Sequence, residues 1–131
     1  MKCFDNTFVV DYLDGRPETI EYLERCSTDS LYLPSIVLYE ALQGQVRSTG
    51  PTEFEQTIGH LTWADIAPFR KTTARETGKL QEELANRGRE LRSADAMIAG
   101  TARELDATLV TADTDFANED VRTVLDVAEY R

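Results

Sequence analysis

The chain has 131 residues, enough for one domain with its own hydrophobic core and without disulfides or a structural metal. It contains 24 acidic and 14 basic residues and a single histidine, for a formal net charge of −10 at pH 7. One histidine is too few for a histidine-rich zinc site, and the acidic excess opposes binding to nucleic-acid phosphates in dilute buffer. We expect residues 1–131 to form a single domain.

The basic residues are mainly arginines, with lysine only at positions 2, 71 and 79. We expect such an acid-rich, lysine-poor composition in a halophilic organism. At molar salt the Debye length falls to about 3 Å, so distant acidic residues hardly oppose a phosphate in a local basic groove. No apolar stretch could span a bilayer, and the N-terminus MKCFDNTF lacks the regions of a signal peptide. We therefore expect a cytoplasmic protein without a membrane segment, in which Cys3 and Cys26 are reduced packing residues.

The apolar pattern and the turn residues predict alternating strands and helices. Strands are expected at residues 2–5, 31–33, 63–67, 108–112 and 121–127. Helices are expected at residues 7–13, 18–25, 35–46 and 52–61, and again from Ser93. In the second helix we expect Ile20 and Leu23 to face inwards. The alternation predicts a three-layer α/β/α fold, in which a mostly parallel sheet lies between two layers of helices.

Two carboxylates lie on helix faces that are otherwise apolar. Glu40 follows Ile36 and Val37 by four and three residues, so it shares their stripe. Asp95 heads a similar stripe, which continues at Ile98, Ala99, Ala102 and Leu105. Burying an unpaired carboxylate is costly, so each needs a cation, a hydrogen-bond network or a raised pKa. For Glu40 the alternative is a structural buried acid.

Two further carboxylates, Asp5 and Asp113, end predicted strands. The carboxyl ends of parallel strands face one crevice, where α/β proteins build their sites. We expect two, and up to all four, of Asp5, Glu40, Asp95 and Asp113 to converge there. Asp115 competes with Asp113 for the fourth position; we prefer Asp113 because it lies at the strand end, and the alternative for Asp115 is an outer position around the metal or a cap of the turn. Several negative charges in one place need a counterion, and oxygen ligands favour hard cations such as Mg²⁺ or Mn²⁺. The pattern predicts a metal-dependent acidic pocket suited to phosphoryl chemistry.

Short polar side chains adjoin these acids at Asn6, Thr7, Ser93 and Thr111. They could orient water or the carboxylates around a metal ion. The alternative is that each is only a cap or a turn residue, as Ser93 would be at a helix N-terminus.

The segment from Arg70 to Arg92 is the one basic stretch of the chain. It holds seven basic and four acidic residues, a local charge of +3, which leaves −13 for the remainder. Its cations could be neutralised along a helix face, for example by pairing of Glu76 with Arg75 or Lys79. The alternative is a set of phosphate clamps in the loop around Gly88. The candidate clamps are Arg87, Arg89 and Arg92.

Four fragments, in this order, resemble the PIN-domain ribonucleases, and within them the VapC-type toxins of toxin–antitoxin pairs. The fragments are FDNTFVVDYL, LPSIVLYEAL, SADAMIAGTA and LVTADTDF, and they extend over the length of the chain. The resemblance implies a compact α/β/α domain that hydrolyses RNA with Mg²⁺ or Mn²⁺ as cofactor. It implies that Asp5, Glu40, Asp95 and Asp113 form the acidic site. It also implies a homodimer and a cognate VapB-like antitoxin that covers the site.

Two positions depart from the pattern of that family. Asn6 stands where serine or threonine is common, which leaves Thr7 one position later. Asp106 stands where a glycine usually precedes the last motif strand, although aspartate tolerates a left-handed turn.

Two other functions compete with a metal-dependent endoribonuclease that acts as a toxin. A phosphatase or phosphorelay receiver would use Asp5 as a nucleophile, but FDNT lacks the second aspartate of the DxDxT pattern and no lysine ends a late strand. A non-catalytic PIN-like module would bind RNA or a protein without cutting. The four acids argue against it, because an inactive site has no reason to keep like charges together.

Overall fold

The computed structural model describes residues 1–131, which form five strands and seven helices. The strands are β1 Lys2–Phe4, β2 Leu31–Pro34, β3 Asp65–Ala67, β4 Thr108–Thr111 and β5 Val127–Glu129. The helices are α1 Asn6–Leu13, α2 Pro17–Arg25, α3 Ser35–Arg47, α4 Phe54–His60, α5 Lys71–Ala85, α6 Ser93–Glu104 and α7 Glu119–Arg122.

All five strands are parallel and lie in the order β3-β2-β1-β4-β5. The central strand β1 pairs on one side with β2, where Lys2 is opposite Leu31, and on the other with β4, where Lys2 is opposite Thr108. The strand order reverses at β1, and such a reversal opens a crevice at the carboxyl ends of the strands. The predicted α/β fold, with helices flanking a parallel sheet, is confirmed.

An aromatic cluster holds α1 against the sheet. Phe8 is fully buried, and its ring centroid lies 4.5 Å from that of Phe4, 5.8 Å from Trp63 and 4.8 Å from Tyr130. Such tilted and edge-on pairs add to the apolar area that burial removes from water. The cluster fixes the junction of β1 with α1, where Asp5 lies.

Helices α5 and α6 form an antiparallel pair. Later residues of α5 meet earlier residues of α6 and of the loop before it. Thr73 is next to Glu104, Thr77 to Gly100, and Gln81 to Leu91. The approach is close, because a Cβ at Gly100 would lie 1.9 Å from Oγ1 of Thr77. The end of α5 therefore lies beside the start of α6, and the arginine-rich loop leads into the first turn of α6, which carries Asp95.

The predicted strand at residues 121–127 is wrong. Residues Glu119–Arg122 form α7, and the last strand begins only at Val127. Asn118 caps this helix, because its side chain accepts a hydrogen bond from the backbone N–H of Val121 at 3.0 Å. The cap and two acidic residues in the first turn outweigh the strand preference of the valines that follow.

The predicted inward face of α2 is also wrong in part, because Ile20 is 43 % exposed. The helix instead buries Thr19 and Tyr22. The Tyr22 ring packs edge-on against Phe4 at 6.2 Å. Because an aromatic ring buries more apolar area than an isoleucine side chain, Tyr22 determines which face of the helix turns inwards.

Two smaller features agree with expectation, and a third concerns the helices. Asp106 has a φ of 55°, the left-handed turn predicted before β4, and no other non-glycine residue has a positive φ. Cys3 and Cys26 are buried free thiols. None of the helices has both the length and the apolar character that a bilayer crossing requires.

Candidate active site

Asp5 lies between β1 and α1 and is 1 % exposed. Its Oδ1 accepts hydrogen bonds from the Thr7 hydroxyl at 2.7 Å and from the backbone N–H of Phe8 at 3.1 Å, so Asp5 also caps α1. Its Oδ2 accepts a hydrogen bond from the Thr111 hydroxyl at 2.5 Å. Burial raises the pKa of Asp5 and the charge of Asp113 adds to this effect, while the three hydrogen bonds oppose it. A carboxylate bonded through both oxygens is poorly placed as a nucleophile, which argues against an aspartyl-phosphate enzyme.

Thr7 and Thr111 connect Asp5 to the end of β4. The Thr7 hydroxyl accepts a hydrogen bond from the N–H of Ala112 at 3.0 Å, and the Thr111 hydroxyl accepts one from the N–H of Asp113 at 2.8 Å. Each hydroxyl therefore donates to one oxygen of Asp5 and accepts from one of two consecutive amides. The segment that carries Asp113 is thereby held in a fixed position relative to Asp5.

Asp95, Asp113 and Asp115 form the centre of the site, because each offers a carboxylate oxygen within 4.8 Å of the other two. Asp95 lies in the first turn of α6 and Asp113 directly after β4, both half-buried, whereas Asp115 is exposed. Oδ1 of Asp113 accepts a hydrogen bond from the N–H of Asp115 at 2.8 Å. The structure thus brings both competitors for the fourth position into one group.

Glu40 borders this group from α3. Its Oε1 is buried and has no hydrogen-bond partner. Burial raises the pKa of Glu40, and the charges of Asp95 and Asp5 raise it further. Burial likewise raises the pKa of Asp95, with Asp113 and Asp115 adding to the effect. These are the signs of carboxylates gathered without a fixed cation among them, and their oxygens could hold a metal ion.

A cleft of about 250 Å³ opens beside the group. Its walls include Arg89, Arg92, Asn118 and the site acids Asp95 and Asp115. The positive charge of Arg92 lowers the pKa of Asp95 in opposition to burial and the neighbouring aspartates. Cationic side chains at the mouth of an acidic cleft suit the phosphates of a polyanion.

The three loop arginines are not equivalent. Arg87 and Arg89 form ion pairs with Asp120 at 3.3 and 3.0 Å. Arg92 forms no ion pair and is exposed. Of the three, Arg92 is therefore the one whose charge is available to a phosphate at this cleft.

Ser93 and Asn6 lie at helix starts next to the site. Ser93 is exposed, begins α6 and makes no side-chain hydrogen bond, and the capping position itself is held by Arg92. Asn6 begins α1, and its Oδ1 is buried without a partner, like Oε1 of Glu40. Sequence reasoning missed Asn118 at the mouth of the cleft. Its signal was the pattern Asn-Glu-Asp, which is typical of a capped helix start.

Comparisons with known proteins place this geometry in context. The family model of the PIN domain matches residues 2–121. A relative named tRNA(fMet)-specific endonuclease VapC, from Shigella flexneri, is 26 % identical over 111 residues, which cover 84 % of each chain. A relative of the same name from Salmonella typhimurium is 26 % identical over 108 residues, which cover 82 % of each chain.

Solved structures show the same fold. DNA-bound VapBC from Salmonella typhimurium superposes with a TM-score of 0.84 at 22 % identity, over 99 % of this chain and 98 % of that one. VapBC2 from Rickettsia felis, bound to a promoter DNA fragment, superposes with a TM-score of 0.79 at 24 % identity, over 98 % and 97 %. Together with the match to the family model over nearly the whole sequence, these likenesses lead to one conclusion: the chain belongs to the PIN-domain family.

Proposed function

We propose that this protein is a metal-dependent endoribonuclease and the toxin of a type II toxin–antitoxin pair. The observation that carries the proposal is the acidic group at the carboxyl edge of the sheet. Three aspartates, Asp95, Asp113 and Asp115, offer oxygens within 4.8 Å of one another. Asp5 and the unpaired Oε1 of Glu40 border them.

The side chains fit a hard divalent cation, Mg²⁺ or Mn²⁺. The group consists of carboxylates, without nitrogen or sulfur ligands, and no basic side chain forms an ion pair with any of them. Asp95, Asp113 and Asp115 would hold the ion, with Glu40 and Asp5 beside them. When bound, the ion would supply positive charge that polarises a phosphoryl oxygen and stabilises the charge on the leaving oxygen.

The residues around the acids prepare the site for a phosphodiester. Thr7 and Thr111 hold Asp5 and the segment after β4 in one geometry, so the carboxylates need not reorganise when substrate binds. Arg92 offers an unpaired guanidinium to a phosphate next to the scissile bond. Arg89, at the same cleft, could contact a phosphate only by giving up its ion pair with Asp120.

The named relatives support an RNA substrate, because both are tRNA(fMet)-specific endonucleases. A structured RNA of the transfer-RNA type is therefore the substrate class we infer. The solved VapBC complexes support a cognate antitoxin. We propose in addition the toxin homodimer that the family resemblance implies.

An open groove next to the site offers a place for such an antitoxin. It has a volume of about 430 Å³ and lies between α1 and α3, with Glu40 and Asn6 in its wall. Val10 and Leu13 line it and are 46 % and 39 % exposed. Apolar residues exposed beside unpaired polar atoms suit a partner segment that covers the site.

The test is cleavage of a labelled transfer RNA by purified protein. We expect cleavage with Mg²⁺ or Mn²⁺, none in excess chelator, and recovery when Mn²⁺ is restored. Asp95→Ala should lose cleavage while it keeps the wild-type circular dichroism spectrum. Cleavage that is undiminished in chelator, or that survives Asp95→Ala, would overturn the proposal.

A further inference from the structure

The solvent face of α5 carries a row of cations. Lys71, Arg75 and Lys79 follow one another at intervals of four residues, so they lie along one side of the helix. All three are exposed, and none of them forms an ion pair. We call these three residues the α5 basic row.

Glutamates of the same helix do not neutralise the row. Glu76 and Glu83 turn away from it and bind Arg103 of α6 at 2.8 and 2.6 Å. Glu82 shares the solvent face but pairs with neither Lys79 nor Arg75. Like charges one helical turn apart repel each other, so helix stability does not explain the row. In a chain of net charge −10, three unpaired cations on one face point to an anionic partner.

The surface between these cations is open. Ala74 and Gly78 are exposed beside them, and neither has a side chain that could obstruct a ligand. A Cβ at Gly78 would meet no atom within 4 Å, so packing does not require glycine there. Glycine weakens a helix interior relative to alanine. Its presence is consistent with close approach of a ligand to the helix backbone.

The row leads towards the acidic cleft. It covers about 12 Å from Lys71 to Lys79, at a rise of about 1.5 Å per residue. Because α5 and α6 are antiparallel, the Lys79 end lies nearer to the loop that carries Arg92 into the cleft. A ligand that extends out of the cleft along α5 would meet Lys79, Arg75 and Lys71 in turn.

We propose that the α5 basic row binds the sugar–phosphate backbone of RNA outside the cleft. The proposal rests on the nuclease function proposed above and adds a second contact region to it. Lysine and arginine contacts to phosphate carry no base information, so the row increases affinity without selecting sequence. It favours RNA long or folded enough to reach from the cleft to α5, over short single strands that fill the cleft alone.

The test uses two triple variants with the same net charge, each made in the Asp95→Asn background so that RNA is bound and not cut. One is Lys71→Gln/Arg75→Gln/Lys79→Gln. The matched control is Lys2→Gln/Arg25→Gln/Arg47→Gln, which removes three other cations that form no ion pair. Fluorescence anisotropy then measures binding of a labelled transfer RNA between 50 and 200 mM salt.

We expect the α5 variant to bind about 10-fold or more weakly at low salt. The slope of log K against log salt should become shallower by about 2 to 3, because three phosphate contacts are lost. The control should keep the slope of the Asp95→Asn parent. Equal losses of RNA affinity in both variants would show that only the net charge of the protein matters, and this would overturn the proposal. No loss of affinity in either variant would overturn it as well. A changed oligomeric state of the α5 variant in light scattering would assign the face to a subunit interface and overturn it too.

A second pair of variants tests close approach to the helix. Gly78→Gln and Gly59→Gln both replace an exposed helical glycine whose Cβ would meet nothing. Both should raise the melting temperature, but only Gly78→Gln should weaken RNA binding, by about 3-fold or more. Equal RNA affinities in the two variants would contradict the proposed contact.

These measurements separate the two proposals. Binding in the Asp95→Asn background needs no cleavage, so it stays informative if the nuclease proposal fails. In the active protein, the α5 variant should leave cleavage of a five-nucleotide single strand unchanged and raise the KM for transfer RNA. A wild-type protein that cuts neither RNA would instead contradict the nuclease function.

Discussion

Two groups of acidic side chains in this protein differ in whether a basic side chain of the protein balances their negative charge. Glu76 and Glu83 of α5 both bind the guanidinium of Arg103, which also donates a hydrogen bond to the carbonyl oxygen of Val124. No basic side chain forms an ion pair with Asp95, Asp113 or Asp115, although Arg92 lines the same cleft and its charge lowers the pKa of Asp95. The first group contains its own cation. The second has no basic side chain paired with it, and burial together with the neighbouring carboxylates raises the pKa values of Glu40 and Asp95.

The contrast shows that acidic clustering alone is weak evidence of a site. Glu76 and Glu83 share one guanidinium, that of Arg103, and they only join α5 to α6. What distinguishes the aspartates at the cleft is that none of them forms an ion pair and that they are bordered by Glu40, whose buried Oε1 has no hydrogen-bond partner. Neutralising an acid should therefore affect folding in the first group and chemistry in the second.

The largest expected effect comes from the aspartates after β4. Asp113→Asn and Asp115→Asn should each lower kcat/KM for RNA cleavage, the first by at least about 100-fold, because each removes charge from the proposed metal group. Asp113 should matter more, since its backbone is held by Thr111 whereas Asp115 is exposed. Single-turnover cleavage assays measure both variants. Equal losses would mean that the two carboxylates share one role.

Glu76→Gln is the matched control for those variants. It removes one of the two acids that bind Arg103 and leaves the cleft unchanged. The side chain of Glu76 is 27 % exposed. Its kcat/KM should stay within about 2-fold of the wild type, consistent with a change remote from the site. A loss comparable to that of Asp113→Asn would show that acidic residues outside the cleft also control activity.

A smaller effect, now on stability, is expected for Arg103→Met. It leaves Glu76 and Glu83 without their shared cation and should lower the free energy of unfolding by about 2 kcal/mol. This value is below that for fully buried pairs, because the side chain of Arg103 is 23 % exposed. Urea unfolding measures the change. An unchanged midpoint would show that the ion pairs contribute nothing to folding.

The smallest effect has the opposite sign. Because burial and the charges of Asp95 and Asp5 raise the pKa of Glu40 above 4.5, the folded chain holds this proton more tightly than the unfolded chain. Ionised Glu40 therefore lowers stability as pH rises through the raised pKa. In chelator at pH 7, Glu40→Gln should be more stable than the wild type, by less than about 1 kcal/mol given the partial exposure of Glu40.

The pH dependence checks the cause of that change. The advantage of Glu40→Gln should disappear as the pH falls below 4.5, where the wild-type carboxyl is protonated in both states. Saturating Mn²⁺ should reverse the order at pH 7, because the wild type then gains more from the bound ion. Thermal unfolding of the wild type and of Glu40→Gln, in chelator and in saturating Mn²⁺, measures which of the two is more stable. A variant less stable than the wild type in chelator would contradict the assignment.

Much of the placement of the candidate site residues could be predicted from local pattern. Asp5 and Asp113 end strands, and parallel strands bring their carboxyl ends to one edge, so their approach followed from topology alone. Asp95 and Glu40 were evident because each interrupts an apolar stripe. These inferences needed only periodicity and the direction of the strands.

The features that sequence reasoning missed depend on tertiary contacts. The hydrogen bond from Thr111 to Asp5 joins residues 106 positions apart, and no local pattern reveals which hydroxyl meets which oxygen. The ion pairs of Arg87 and Arg89 with Asp120 also join residues that are far apart in the sequence, so no local pattern reveals them. Tyr22 took the inward position expected of Ile20 because of aromatic neighbours supplied by β1 and α1.

Direct titration with Mn²⁺ by calorimetry tests the central claim, that the cleft carboxylates take their cation from solution. The wild type should bind Mn²⁺ at the cleft, and Asp95→Asn should bind it at least about 10-fold more weakly. Glu76→Gln should match the wild type, because its acid belongs to the group that already has Arg103. No binding by the wild type, or equal affinities for the wild type and Asp95→Asn, would contradict the account.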